Sequence, residues 1–242
     1  MNKYDEIVKQ VMENPFNYEW ELQGFGMLRT YIDKDTRLQI WLKDFIVPNV
    51  TDIHTHPWDF QSFIYQGQIR NNIFSEYGLQ NSVQGEWFQC DKCLILTGEH
   101  AYVKERNIII LKPNGSFDYF RGDTYFHEKN IPHRIDFIDG TITILTKSNI
   151  HEDSLAYSYV KGFNNEWVSA APRIATKEEI QTFIDAASKL NKEEIPTLED
   201  LFNQYTDVMS IFMVDEEAGE KELHKLIDSF DSKYKIVPKD NE

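Results

Sequence analysis

DIHTHPWDFQSFIYQG (52–67) and GDTYFHEKNIPHRI (122–135) are the two stretches on which the reading of this chain turns. The first carries His54 and His56 two residues apart. Alternation along an extended strand sends residues i and i+2 to one face, so both imidazoles point into whatever that strand lines. Strand formers follow from Phe60 to Tyr65, then a turn at Gln66-Gly67 and a further strand through Ile69, Ile73 and Phe74. That pattern places the pair at the mouth of a hairpin. In the second stretch Gly122-Asp123 reads as a turn into Tyr125 and Phe126, and His133 begins a strand that turns at Asp139-Gly140 into TITILTK (141–147). Pro132 imposes an extended approach on the residue before it. An isolated His-x-His is equally consistent with two ordinary histidines; the third histidine at a strand start favours a metal site. Three neutral imidazoles suit Fe, Zn, Cu or Ni and leave coordination positions open.

Outward from these stretches, Met27 to Lys147 reads as short strands broken by Gly, Asn and Asp, among them LQIWLKDFIV (38–47), CLILTG (93–98) and RNIIILK (106–112). No segment there has helical periodicity. Asn2 to Glu13 has Ile7, Val8, Val11 and Met12 on one face and ends before Pro15, which predicts a short amphipathic helix packed on the outside of the β region. After Asn164-Asn165 the period becomes helical. Thr176-Lys177-Glu178-Glu179 is a capping box opening a helix to about Leu190. Pro196-Thr197 opens a second helix through Phe212, and Asp215 to Phe230 reads as a third. The expected organisation is a β domain with its N-terminal helix over 1–165 and a helical extension over 166–242.

The two histidine stretches resemble the cupin superfamily, whose first motif runs G-x5-H-x-H-x3,4-E-x6-G and whose second runs G-x5-P-x-G-x2-H-x3-N. His54, His56 and Gly67 fall on the first, and Gly122, Pro132 and His133 fall on the second; the likeness covers about residues 25 to 150. The run H-x-H-P-W-D-F is also similar to small cupin-domain proteins. The resemblance implies a mainly β fold, a double-stranded β-helix (jelly-roll) barrel with a short N-terminal helix and a C-terminal helical extension. It also implies a divalent metal ion held by His54, His56 and His133, and a homodimer. Counting back from Gly67, Phe60 occupies the position of the family's glutamate ligand, between Asp59 and Gln61. A three-His site of this kind is similar to that of the thiol dioxygenases, which implies Fe(II); the residues alone leave Zn, Ni, Cu and Mn open. The relay of Ser, His and Tyr used by those enzymes is not reproduced in the spacing of Thr146, Ser148, His151, Tyr157 and Tyr159.

The family's substrate-binding arginine is matched by Arg29, with Arg37 as a second candidate, and Tyr125 is a further candidate for orienting the substrate. Trp58 and Phe60 read as barrel core or pocket wall. Gln61 points opposite to Phe60 on a regular strand and reaches the site only through a bulge. Asp59 is either a turn-forming carboxylate or one that orients a ligating imidazole. His127, beside Glu128 and Lys129, is the competing third ligand and reads as a surface residue. Cys90 and Cys93 read as ordinary thiols in a hairpin connection, since no further ligands are spaced for zinc.

The chain has 242 residues, a formal charge of −15 and no basic cluster, which argues against nucleic acid and membrane surfaces as partners. With two cysteines and no hydrophobic leader, a cytoplasmic protein acting on a small-molecule substrate is expected. Two functions from different classes remain: an Fe(II) dioxygenase, and a non-redox metal- or ligand-binding barrel serving as a sensor or accessory protein.

Overall fold

Cross-strand pairing divides the β region between two curled antiparallel sheets in a computed structural model of the protein, which describes residues 3–48, 50, 52–95, 102–149, 155–161, 172–192, 220–221 and 224–225. The strands are β1 (Glu21–Gln23), β2 (Phe25–Tyr31), β3 (Thr36–Ile46), β4 (Asp59–Gln66), β5 (Gln68–Gly78), β6 (Phe88–Ile95), β7 (Tyr102–Phe120), β8 (Thr124–His127), β9 (His133–Phe137), β10 (Thr141–Ser148), β11 (Ala156–Lys161) and β12 (Arg173–Ile174). The helices are α1 (Asp5–Glu13) and α2 (Lys177–Lys192). One sheet runs β12-β1-β2-β3-β10-β4-β8 and the other β11-β6-β7-β5-β9. From β7 onward successive strands alternate between the sheets, and Met27, Trp41, Phe60 and Ile64 of the first pack with Ile69 and Phe137 of the second. This is the winding of a cupin-like jelly-roll barrel, mainly β as expected.

The alternation corrects the hairpin reading. β4 and β5 do not pair; Gln66-Gly67 carries the chain from one sheet to the other. Gly67 has φ +81°, and a Cβ there would lie 2.9 Å from Thr141 Cα, so both the turn and the close approach require glycine. The turn at Gly122 and that at Gly140 make the same kind of crossing. Local turn chemistry is identical for a hairpin and a sheet change, because the choice is made by which distant strand offers its edge.

The outer face of the seven-stranded sheet is sealed by the helices. Leu22, Leu28, Leu38, Ile40, Ile142 and Ile144 point out of the seven-stranded sheet and are covered by Val8 and Val11 of α1 and by Ile180, Phe183, Ile184 and Ala187 of α2. The expected capping box opens α2: Glu179 N–H donates to Thr176 Oγ1 at 3.2 Å and Thr176 N–H to Glu179 Oε2 at 2.9 Å. Gln66 Nε2 ties α2 to the barrel by donating to the carbonyl of Ala187 at 2.7 Å and to that of Gly140 at 3.0 Å. Cys90 and Cys93 lie within β6, not in a connection; both are buried and neither is in a disulfide. The helices expected from Pro196 and from Asp215 lie outside the described residues apart from helical residues 220–221 and 224–225, as do His100, His151 and the end of CLILTG. No helix among the described residues is long and apolar enough to cross a membrane.

Candidate metal centre

His54 and His56 precede β4 and are not on a regular strand. Their segment is extended and wedged between β9 and β11: His54 and His133 exchange backbone hydrogen bonds at 3.0 Å each way, Thr55 N–H donates to the carbonyl of Tyr157 and Tyr159 N–H to that of Ile53. The two-residue alternation therefore still aims both imidazoles inward, and the His54–His133 bridge sets the third beside them. One ring nitrogen from each of His54, His56 and His133 lies within 4.8 Å of the others. His56 Nε2 and His133 Nε2 are 3.1 Å apart. Two nitrogens bound to one ion at ~2.1 Å are separated by about 3.0–3.4 Å at cis or tetrahedral angles, so this pair is at ligating distance and the looser contacts need to close by about 1.5 Å.

The remaining ring nitrogens are engaged in a way that frees the inward ones. His133 Nδ1 faces Asn71 Oδ1 at 2.9 Å and His54 Nδ1 faces the carbonyl of Asp52 at 3.1 Å. Both partners are acceptors, which fixes the proton on Nδ1 and leaves Nε2 with its lone pair for a cation. Burial holds the pKa of His54 down at about 4 and those of His56 and His133 well below the usual value, with the nearby Arg37 charge lowering all three further. The imidazoles are thus neutral at pH 7, the state in which they ligate. Each is also clamped by an aromatic ring: Phe25 stacks on His54 at 5.6 Å, Trp58 on His56 at 4.4 Å and His127 on His133 at 4.0 Å between centroids. The donor set is all imidazole, and it fits a divalent first-row metal.

His127 is not the surface residue its charged neighbours suggested. It is 3% exposed, with Nε2 facing the carbonyl of Ile131 at 3.1 Å, and burial lowers its pKa to about 4. The strand sends Glu128 outward and His127 inward, so charge in the sequence neighbourhood said nothing about its side. It supports His133 from behind; the group of metal-competent side chains found among the described residues does not include it.

The three histidines open onto a cavity of about 170 Å³. Arg29, Arg37, Trp58, Phe60 and Tyr125 all line it. Gln61 does not. It is exposed on the opposite face of β4 near Lys3 and Tyr4, because β4 pairs in regular register with β8, Gln61 opposite Phe126, and no bulge turns it inward. Asp59, the first residue of β4, ties that strand to distant segments instead of to its own turn: Oδ1 accepts from Lys129 N–H at 2.7 Å and Oδ2 from Asn149 Nδ2 at 2.5 Å.

The two arginines are electrostatically unlike. Arg29 lies opposite Glu21 in the β1–β2 register and its guanidinium binds that carboxylate at 2.6–2.7 Å. Arg37 is 4% exposed and has no ion pair among the described residues. With the Gln39 amide oriented to satisfy its neighbours, Arg37 Nε and Nη2 donate to its oxygen at 3.0 and 3.1 Å, and the guanidinium also meets the Trp58 ring at 5.3 Å. Burial, followed by the charge of Arg29, lowers its pKa to about 10, so it stays charged at pH 7. Tyr125 stacks on Tyr119 at 4.5 Å, and burial raises its pKa, keeping the phenol a neutral donor. Sequence reasoning missed Asn71. The available signal was Asn71-Asn72 in the middle of a strand, where two poor strand formers in succession need a reason.

No known family's sequence model matches the chain, and no curated protein matches it. Among solved structures, Bacillus subtilis oxalate decarboxylase, studied for its Mn(II) centers, aligns at 11% identity and a TM-score of 0.28, covering 74% of this chain and 38% of that one. The chain therefore spans well under half of that protein's length, and at this TM-score the likeness carries no weight beside the topology above.

Proposed function

We propose that the protein is a metal-dependent cupin-type oxygenase that holds Fe(II) on His54, His56 and His133 and acts on a small acid, thiols included. One observation carries this reading: three imidazoles converge on a cavity whose buried Arg37 forms no ion pair among the described residues. Bound there, the ion would supply redox chemistry at open coordination positions. In this reading Arg37 binds the substrate carboxylate through its guanidinium edge. Trp58 and Phe60 exclude water, Tyr125 offers a neutral hydrogen bond, and Arg29, held by Glu21, stiffens the wall. Acid–base chemistry is poorly served by Asp59, both of whose oxygens already accept hydrogen bonds.

The test is metal analysis of anaerobically purified protein followed by O₂ uptake with a panel of small thiols and carboxylic acids. Stoichiometric iron and substrate-dependent uptake are expected. A tightly held redox-inert metal with no uptake on any member would overturn the oxygenase and leave a metal-binding sensor or accessory barrel.

A further inference from the structure

The inner face of the seven-stranded sheet carries an ordered array of charge. Cross-strand register sets Glu21 opposite Arg29, Arg29 opposite Gln39, Tyr31 opposite Arg37, Arg37 opposite Leu145, and, two residues on along β10, Lys147 opposite Phe60. Glu21 answers Arg29, which leaves Arg37 and Lys147 as cations with no ion pair among the described residues. Lys147 is half-buried, and its ammonium lies 5.4 Å from the Trp58 ring centroid and 4.7 Å from that of Tyr31. Arg37 lies 5.3 Å from the same Trp58 ring, so one indole touches both cations. Tyr31, exposed at the rim, reports the convergence. Burial would raise its phenol, yet the charges of Arg29, Arg37 and Lys147 together bring it below its usual value. A chain of net charge −15 thus sets three cations against the carboxylate of Glu21 on one sheet face, Arg29 and Arg37 lining the cavity and Lys147 beside its Trp58 wall, where field lines focus on an entering anion.

Resting on the reading of this cavity as the substrate site, we infer that the substrate is a compact organic dianion, one acidic group held by Arg37 beside the metal and the second by Lys147 at the rim. The size agrees. An apolar cavity of about 150 Å³ takes a molecule as large as benzene, and this one is about 170 Å³. A four- or five-carbon diacid is of that order. A monoacid would leave Lys147 over Trp58 and Tyr31 without a counter-charge.

Isothermal titration of the anaerobic Fe(II)-loaded protein with matched pairs tests this: succinate against butyrate, and glutarate against valerate, with 3-phosphonopropionate to learn whether the outer group is better a carboxylate or a phosphorus acid. At least one dianion should bind ten-fold or more tighter than its monoanion partner. Lys147→Gln should bring the pair within two-fold, by weakening the dianion far more than the monoanion, and Lys147→Arg should restore the preference. Equal affinities within each pair, or a preference that survives Lys147→Gln, would overturn the inference. O₂ uptake is read separately. Dianion preference without uptake supports the inference while sinking the oxygenase, whereas uptake with monocarboxylic thiols as ready as with dicarboxylic ones keeps the oxygenase and sinks the inference.

Discussion

Asn71 Oδ1, 2.9 Å from His133 Nδ1, illustrates how much of this site is decided one atom away from the ligands. Asn71→Ala should leave His133 free to present either tautomer, which for such orienting partners lowers metal affinity by roughly 10- to 100-fold. Competition against a chelator of known affinity measures it; an unchanged affinity would show that Asn71 serves packing alone. At this scale the sequence made His54, His56 and His133 legible, because two-residue spacing and a proline-led strand start are local signals. The sequence puts Arg29 ahead of Arg37, whereas the cross-strand register sets Glu21 opposite Arg29 and leaves Arg37 as the arginine without an ion pair among the described residues. Likewise the burial of His127 and the outward face of Gln61 follow from the pairing of β4 with β8, which no residue in either stretch announces.

Among the elements, the sheet-crossing turns govern where the histidine segment arrives. Gly67→Ala places a Cβ against Thr141 at φ +81°, whereas Gly122→Ala, at φ +94°, meets nothing within 4 Å. The left-handed conformation alone costs about 1–2 kcal/mol for a residue with a side chain, so Gly122→Ala should lose about that much and Gly67→Ala clearly more. Urea unfolding of the two variants compares them, and equal losses would mean that Thr141 yields without cost. Strand content, the N-terminal helix and the capping box of α2 were all readable, being products of period and capping chemistry within a few residues. Hairpin versus sheet change was not, because it depends on β10 inserting between β3 and β4 from about a hundred residues away.

Across the whole molecule, the barrel keeps its cavity on one side of the seven-stranded sheet because two helices seal the other. Phe183 is fully buried against that sheet, its ring 4.7 Å from Phe45. Phe183→Ala should cost about 3–5 kcal/mol, the range for emptying a core aromatic site, seen as a fall in the denaturation midpoint. A small loss would mean that α2 is a loose appendage. The central claim is that three imidazoles share one ion, and metal content per chain tests it most directly. After anaerobic loading with Fe(II) and removal of excess, native protein and the His127→Ala variant should each retain close to one ion per chain, and His133→Ala close to none. Equal retention by the His127→Ala and His133→Ala variants, or no ion on the native chain, would contradict it.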